Sequence, residues 1–416
     1  MSFDPQRAEH ERVIIVGAGP AGAALAYLLA RNGARVLLLE RHEDFAREFR
    51  GEGLQPSGFA CLRQMGLERA LERVPQTRMR RFVWGFRGGR RVTMPIEMSD
   101  FEAVRLVSQP RLLEALTGEA ARHPGFELRM GAAVRDLVEE DGRVVGVRIA
   151  GARGPELLRA ALVIGADGRH SVVRKRAGIE LRQLEQGFDV VWARGHLRGP
   201  LIADETVYVE LMPDGGVVSV FPSPLGGQQV GVVIRKGEFR DLRARGATEG
   251  LEWLRGQCSV ALGDALASAG DDGSGLGRPV VLDVVCGRAS TWRAPGVLLL
   301  GDAAHPMSPV GGQGINMALR DAVVAANHLV PALTAAGGPT AAALDAASAA
   351  VARERRPEIV EIQRQQTERG RRFGRPPGRA LLTTIVTLMR WRWFARLLLR
   401  RRRPFSHGLR PVELRV

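Results

Sequence analysis

A glycine-rich loop between an apolar segment and a helix-forming segment is the feature that most restricts the fold of this chain. The stretch VIIVGAGPAG runs from Val13 to Gly22 and contains the pattern G-x-G-x-x-G at Gly17, Gly19 and Gly22. The first glycine permits a tight turn, the second lets the backbone approach a pyrophosphate, and the third allows the following helix to pack closely. The pattern therefore predicts a strand, a turn and a helix that together bind phosphate.

The residues after the loop complete a dinucleotide-binding unit. A helix is predicted from Pro20 to Asn32, because proline is favoured in a first turn and Asn-Gly ends a helix. Its N-terminal N–H groups point at the phosphates. The apolar segment Arg35 to Leu39 predicts a buried parallel strand, and Glu40 follows it, where a carboxylate accepts hydrogen bonds from a ribose. The unit thus predicts a bound dinucleotide.

Length and cysteine content exclude several protein classes. The 416 residues, 45% of them hydrophobic, suffice for two or three domains with a sizeable core. The three cysteines, Cys61, Cys258 and Cys286, form no C-x-x-C pattern, which excludes a disulfide scaffold, a structural zinc site and a thiol-disulfide flavoenzyme. They are expected to be buried. The N-terminus is polar, and no apolar segment approaches the roughly 18 residues of a membrane span, so a cytoplasmic location is expected.

The net charge of +15 is concentrated at the C-terminus. From Arg369 onward the chain has 14 arginines and one acid, Glu413, whereas the preceding 368 residues carry about +2. On a helix, an arginine stripe would lie beside an apolar and aromatic one. The arginine stripe comprises Arg392, Arg396 and Arg400, and the apolar and aromatic stripe comprises Met389, Trp393 and Leu397. A docked helix with solvated arginines is favoured, and peripheral contact with the anionic inner face of a membrane is the alternative. Nucleic acid is an unlikely partner, because no recognised binding motif accompanies the charge.

The order of the segments predicts an α/β fold with an inserted second domain. A doubly wound, Rossmann-like domain is expected from residues 10–78, 106–180 and 280–360 together. Short alternating segments such as RFVWGF and TVYVEL predict a mainly antiparallel β-sheet substrate domain in residues 79–105 and 181–279. Residues 361–416 are expected to form a C-terminal helical, basic tail.

Two further motifs place acids at the ends of predicted strands. ALVIGADGRHSVVR, residues 161–174, delivers Asp167 to a strand end and has Arg174 in the helix-prone turn that follows. VLLLGDAAHPMSPVGGQGIN, residues 297–316, repeats the arrangement with Asp302, and its glycines open a helix that is expected to continue through Ala322. Ligands of open α/β sheets bind at such strand ends, and a glycine-rich helix N-terminus favours electron-rich groups.

These three motifs, in this order, resemble those of single-component FAD-dependent monooxygenases of the aromatic, para-hydroxybenzoate hydroxylase type. Within that group the chain is most similar to quinone-ring hydroxylase-like oxidoreductases. The resemblance covers roughly residues 10 to 370 and implies permanently bound FAD, with NAD(P)H as a transient co-substrate. Cofactor contacts are implied for Gly17, Gly19, Pro20, Ala21, Gly22, Glu40, Arg41, Arg50, Gln109, Asp167, Arg174, Gly301, Asp302, Gly312, Gly314, Ile315 and Asn316.

The resemblance also implies the reaction. Reduced FAD takes up dioxygen as a C4a-hydroperoxide, which hydroxylates or epoxidises an electron-rich aromatic, quinone-like or polycyclic substrate; the protein positions the substrate and excludes water. No metal and no side-chain nucleophile are needed. Tyr208 and Glu210 share a strand face with Thr206 and are weak candidates for a proton acceptor, an exposed sheet face being the favoured alternative. His305 is a third candidate, with a structural role favoured.

Three alternatives remain open from the sequence. A flavin-dependent reductase of isoprenoid or lipid double bonds shares the N-terminal half and a loop like GEGLQP. A flavin halogenase is disfavoured, since Trp391-Arg392-Trp393 lacks a following Ile-Pro and lies in the basic tail. A membrane-surface or nucleic-acid adaptor with a relic nucleotide fold is disfavoured by the three intact motifs.

Overall fold

A computed structural model describes residues 11–46, 52–86, 90–93, 103–151, 154–212, 215–269, 275–277, 279–371, 384, 387–388 and 391–416. The strands, in chain order, are β1 Val13–Val16, β2 Val36–Leu39, β3 Gly53–Leu54, β4 Gln76–Met79, β5 Arg81–Phe86, β6 Arg90–Thr93, β7 Val104–Val107, β8 Phe126–Arg129, β9 Ala133–Glu140, β10 Arg143–Gly151, β11 Gly154–Arg159, β12 Leu162–Gly165, β13 Leu181–Gln183, β14 Phe188–Gly195, β15 Thr206–Leu211, β16 Val217–Pro222, β17 Gln228–Arg235, β18 Val280–Leu282, β19 Gly287–Ala289, β20 Arg293–Ala294 and β21 Val297–Leu299.

The helices alternate with these strands in the first part of the chain and dominate its last third. They are α1 Pro20–Arg31, α2 Pro56–Gln64, α3 Glu68–Glu72, α4 Gln109–Ala120, α5 Val172–Arg176, α6 Phe239–Gln257, α7 Val260–Ala267, α8 Gly314–Leu333, α9 Ala341–Gly370 and α10 Arg392–His407, with a short 3-10 helix at Gly301–Ala303.

A six-stranded sheet in the order β20-β21-β12-β1-β2-β8 forms the centre of the fold. Its strands β21, β12, β1, β2 and β8 are parallel. The strands VIIV and VLLL are buried throughout, as continuous apolar strands of a parallel sheet covered on both faces should be. Helices α1 and α8 contribute to the core on one face, and the sheet β11-β10-β9 packs on the other. The predicted α/β fold is therefore confirmed.

A seven-stranded sheet in the order β18-β14-β17-β16-β15-β5-β6 lies beside this centre. It is antiparallel except where β15 pairs with β5. We call the face covered by α6 and α7 its back face; alternate residues of the strands, including Tyr208 and Val232, form a core there. The opposite, front face packs in part against β4 and β7 through Val207 and Phe82.

The helix that opens at Gly314 continues through Ala322, as predicted, and extends to Leu333, because residues 323–330 keep an apolar face that is buried in the core. One expectation from the sequence was wrong. The face carrying Tyr208 and Glu210 is not exposed; both side chains are buried beneath α6 and α7. Alternation alone shows that a strand has two faces, not which of them a helix covers.

The C-terminal tail is only partly helical. Helix α10 ends at His407, and residues 408–416 continue without helix. Val412, Leu414 and Val416 pack against the core that α1 and α8 form with the six-stranded sheet. Met389 lies outside the described residues. Among the residues that are described, no helix has both the length and the apolar composition needed to cross a membrane.

Candidate functional site

The glycine loop at Val16–Gly22 has the geometry expected of a phosphate cradle. Gly17 adopts φ +101°, a value that L-residues with side chains rarely adopt. A Cβ at Gly22 would lie 2.0 Å from the carbonyl oxygen of Gly17, whereas a Cβ at Gly19 would have no atom of the described residues within 4 Å. Gly22 is therefore required by the fold itself, and Gly19 leaves open space beside the N-terminus of α1, which begins with Pro20 and Ala21.

Glu40 closes this cradle from the end of β2. Its side chain is buried, and its carboxylate accepts hydrogen bonds from the N–H of Ala18 at 2.9 Å and of His42 at 3.2 Å. The acid therefore shapes the loop, and it lies where a ribose would be bound. Arg41, next to it, is exposed and donates to His42.

Asp167 caps helix α5 at the end of β12. One carboxylate oxygen accepts from the hydroxyl of Ser171 at 2.5 Å, and the other accepts from the N–H groups of Val172 and Val173. Burial raises the pKa of this carboxyl, although these hydrogen bonds act in the opposite direction. Arg174, which is buried, donates to the carbonyl oxygens of Ala303 and Arg169. The two motifs are thus joined directly, at the C-terminal ends of neighbouring strands.

The third motif surrounds a buried ionic cluster. His305 is buried against Trp292, and its Nε2 lies 2.6 Å from a carboxylate oxygen of Asp321. The same carboxylate accepts from the N–H of Gly301 and pairs with Arg355 at 2.7 Å. His305 therefore belongs to the buried group of side chains that stabilises the loop after β21, and it does not lie at the surface of that loop. Asp302, in contrast, is exposed.

Asn316 ties the start of α8 to the loop at β3. Its carboxamide donates to the carbonyl oxygens of Gly53 and Gly312 and accepts from the N–H of Gln55. Gln55 in turn donates to the carbonyl oxygen of Gly311. Because the Asn316 side chain is buried and bonded within the protein, it fixes the two loops relative to each other.

The remaining residues of the predicted cofactor set lie in three different parts of the chain. Gly312, with φ +60°, and Gly314 lie in the glycine-rich turn, and Ile315 is buried in the first turn of α8. Gln109 is half-buried at the start of α4. Arg50 lies outside the described residues.

Tyr208 and Glu210 form a buried hydrogen-bonded group on the back face of the seven-stranded sheet. The Tyr208 hydroxyl donates to Glu210 at 2.5 Å, and the carboxylate also accepts from the N–H and hydroxyl of Ser259, the residue that precedes α7. Burial, followed by the neighbouring Glu210, raises the pKa of Tyr208 far above its usual range. The group anchors helices to the sheet, on the face opposite the glycine-rich turn.

The front face contains functional candidates that the sequence analysis did not identify. One row crosses five neighbouring strands in register, and its residues are Trp84, Val209, Ser219, Gly231 and Trp192. The indole of Trp192 lies over Gly231, where an added Cβ would be 2.6 Å from the ring. The alternation of RFVWGF and FDVVWARG places both tryptophans on one face, but only the pairing of strands shows that they end the same row.

A polar group, which we call the Arg194 cluster, lies in the next row and comprises Arg194, Glu52 and Gln229. Arg194 donates to Glu52 at 2.5 Å, and the Gln229 side-chain amide donates to the other carboxylate oxygen. Arg194 and Gln229 face each other on β14 and β17, whereas Glu52 precedes β3. Burial raises the pKa of Glu52, although Arg194 and Gln229 act in the opposite direction. The sequence analysis singled out the GEGLQP segment, which contains Glu52, but it did not identify Arg194 and Gln229 as the partners of that acid.

The observed features fit FAD. An open cradle at Gly19 lies beside a helix N-terminus, and a buried carboxylate closes it. Asp167 and the exposed acid Asp302 follow the adjacent parallel strands β12 and β21, and the glycine-rich turn precedes α8. Helix N–H groups suit a pyrophosphate, and carboxylates suit the hydroxyls of ribose and of a polyol chain.

Comparison with known proteins agrees with this geometry. A family model described as FAD binding domain matches residues 10–357. A 6-methylpretetramide 4-monooxygenase of Streptomyces rimosus is 35% identical over 330 residues, which are 77% of this chain and 75% of that protein. A digeranylgeranylglycerophospholipid reductase of Methanopyrus kandleri is 29% identical, over 74% of this chain and 77% of its own.

A solved structure extends the similarity to the whole fold. The anhydrotetracycline hydroxylase of Streptomyces rimosus has a TM-score of 0.69 and 27% identity, and the match covers 96% of this chain and 76% of that one. The resemblance predicted from the three motifs is confirmed, and the monooxygenase prediction is supported over its alternatives. The chain belongs to the FAD binding domain family and is an FAD-dependent monooxygenase.

Proposed function

We propose that this protein hydroxylates a planar, polycyclic aromatic substrate bound against the front face of the seven-stranded sheet. The observation that supports this most is the row from Trp84 to Trp192. Four strand spacings separate its ends, about 19 Å. The residues between them are small, and the Trp192 indole lies over Gly231. A flat multi-ring ligand therefore has a floor at Val209 and Ser219 with an aromatic side chain at each end.

In this proposal the cofactor-binding residues act through binding and orientation. Gly17, Gly19 and Gly22 with Glu40 hold the ADP part of FAD, and Asp302 holds its polyol chain. Bound FAD, reduced by NAD(P)H, supplies the activation of dioxygen for transfer of one oxygen atom to an aromatic carbon. Asn316 holds the Gly312 turn against the loop at Gly53 and so fixes the position of the turn beside which the flavin ring would bind.

The test combines FAD reduction with oxygen labelling. Holoenzyme is reduced anaerobically by NADH or NADPH in the presence of single-ring and three- or four-ring phenols, and products formed under ¹⁸O₂ are weighed by mass spectrometry. We expect faster reduction and label incorporation with the multi-ring compounds. Reduction of a double bond without label would instead support the lipid reductase alternative.

A pair of variants locates the substrate. Trp84→Ala should raise KM for the multi-ring compound about tenfold, because stacking on an aromatic side chain is lost. Tyr208→Phe, which alters the back face, should leave KM unchanged. Equal effects of both substitutions would contradict the proposed location.

We also propose that α10 rests on an anionic membrane surface. Trp391, Trp393 and Leu397 are 58%, 55% and 42% exposed, which is unusual for such large apolar side chains. Exposed arginines, Arg392 and Arg396, accompany them, as in helices that lie in a membrane interface.

Flotation with vesicles tests this second proposal. The protein should float with phosphatidylglycerol vesicles and not with phosphatidylcholine vesicles, and Trp391→Ser with Trp393→Ser should abolish flotation without changing FAD content. Unchanged flotation of that double variant would contradict the contact.

A further inference from the structure

The Arg194 cluster is the main group of ionic side chains on the front face whose chemistry the proposed function does not use. Arg194 lies on β14 two residues after Trp192, so both side chains point to the same side of the sheet. Its neighbours across the sheet are Gln229 and then Phe221, whose ring lies 5.7 Å from that of Trp192. The guanidinium therefore lies beside Trp192, at one end of the row described above.

Exposure divides the cluster into a supporting part and an accessible part. The side chain of Glu52 is 3% exposed, and that of Arg194 is 38% exposed. Gln229 is also buried. The buried Glu52 carboxylate thus accepts from the Gln229 amide through one oxygen and from the accessible Arg194 side chain through the other. An ion pair that only joined two parts of the fold would not need an accessible member.

The cluster also lies next to the predicted flavin turn. Glu52 directly precedes Gly53, whose carbonyl oxygen accepts from Asn316, and Asn316 also holds the carbonyl oxygen of Gly312. The backbone N–H of Val107 donates to the carbonyl oxygen of Glu52 and fixes the loop from the other side. Arg194 is consequently connected to the Gly312 turn through Glu52, Gly53 and Asn316.

We propose that Arg194 binds an acidic oxygen of the aromatic substrate, a phenolate or an enolate beside a second oxygen, and that Glu52 and Gln229 are positioning residues that aim it. The inference rests on the proposed function and narrows its substrate class. A guanidinium is planar and presents paired N–H donors, which match two neighbouring oxygens of a planar ring better than an ammonium does. Binding the ionised form also keeps the ring electron-rich.

The probes are alizarin, which has two adjacent hydroxyls on a three-ring system, and its dimethyl ether, which cannot ionise. Dissociation constants for FAD-loaded protein are measured from pH 5 to 9 by quenching of flavin fluorescence, and the colour of bound alizarin reports its ionisation. At pH 8 wild-type protein should bind alizarin at least tenfold more tightly than the ether. Its apparent ionisation should occur at lower pH in the complex than in water.

Four variants and a control distinguish direct substrate binding by Arg194 from the positioning of Arg194 by Glu52 and Gln229. Arg194→Gln should remove most of the preference for alizarin and the shift of its ionisation, while changing affinity for the ether less than threefold. Arg194→Lys should keep the shift in part and lose affinity, because the charge remains without the paired donors. Glu52→Gln should weaken the preference, and adding Gln229→Glu should restore part of it, since a carboxylate again lies beside Arg194. Arg235→Gln, at the other end of the strand pair, is the matched control and should behave as wild type.

Several outcomes would overturn the inference. These are equal affinity of wild-type protein for both probes, no binding of either probe, or an Arg194→Gln variant that loses both equally. An effect of Arg235→Gln as large as that of Arg194→Gln would do the same. The proposed function fails separately, when NAD(P)H does not reduce the holoenzyme or no label from ¹⁸O₂ enters any product.

Discussion

Replacing Gly22 by alanine would press a methyl group against the backbone of the glycine loop. The added Cβ would lie 2.0 Å from the carbonyl oxygen of Gly17 and 3.2 Å from the Ile15 side chain. Because favourable carbon contacts begin near 3.5 Å, the loop and α1 must separate by roughly 1.5 Å. Insertion of one methyl group into a packed site typically costs about 1 to 3 kcal/mol. We expect about 2 kcal/mol of lost stability and, from the displaced N–H groups, about 30-fold weaker FAD binding.

Two neighbouring glycines provide matched controls for this substitution. Gly19→Ala meets no atom within 4 Å in the part of the chain that the structure describes and has an ordinary φ of −73°, so it should leave the thermal stability of the apoprotein unchanged while weakening FAD binding. Gly33→Ala also meets none of the described atoms but has φ +83°, so it should cost about 1 kcal/mol of stability and leave FAD binding unchanged. The three variants thus separate crowding, ligand contact and backbone strain.

The assay measures two quantities on each variant: the Tm of the apoprotein by circular dichroism, and the Kd of FAD by fluorescence quenching. The explanation is refuted when Gly22→Ala retains both wild-type values. It is also refuted when Gly19→Ala lowers Tm but keeps FAD, because the space beside Gly19 would then serve folding and not the ligand.

Three further predictions concern buried ionisable groups. Burial alone raises the pKa of Asp321, but His305 and Arg355 lower it to about 2 from 3.8. The ionised carboxylate therefore stabilises the fold above about pH 4, and this contribution is lost toward pH 2. Measured by circular dichroism, Asp321→Asn should be less stable than the wild type at pH 7 and should lose less stability than the wild type on acidification. Tyr208→Phe removes a donor to buried Glu210 and should lower Tm by several degrees without shifting the pH profile of turnover, and a shifted profile would show a role in proton transfer. Burial raises the pKa of the cysteine thiols to about 11 or 12, so at pH 8 a thiol-reactive dye should label the native protein far more slowly than the unfolded one. The thiols concerned are those of Cys61, Cys258 and Cys286.

The elements that sequence patterns predicted well are those whose signal is local. The glycine loop depends on a backbone conformation that few residues other than glycine adopt, and Gly17 does have a positive φ. The helix after it begins at Pro20, as predicted. The position of Asp167 and Asp302 follows from a simple rule on the ends of parallel strands. The two motifs that contain these acids meet where Arg174 donates to the carbonyl oxygen of Ala303, and this contact is a consequence of strand order.

The parts that could not be predicted depend on which strands pair and which face is covered. Glu52 and Arg194 are 142 positions apart, and no periodicity connects them. Similarly, Glu210 looks like a surface acid in the segment TVYVEL until Ser259 and α7 are placed over it. A buried carboxylate is stable only with such donors, so its environment, not its neighbours in the chain, decides between a surface and a structural role.

The C-terminal residues show why charge alone misjudges a segment. Phe405 packs under Gly311, and its carbonyl oxygen accepts from Gln313, so the tail supports the glycine-rich turn directly. Farther along, the N–H of Leu409 donates to Glu358, and Arg31 donates to the carbonyl oxygen of Val416. Because the hydrogen bonds use the backbone of the tail, they leave no pattern in its side chains. Removal of the tail would disturb the turn as well as the exposed helix, and only substitutions on the exposed face of α10 can test membrane contact without changing the flavin site.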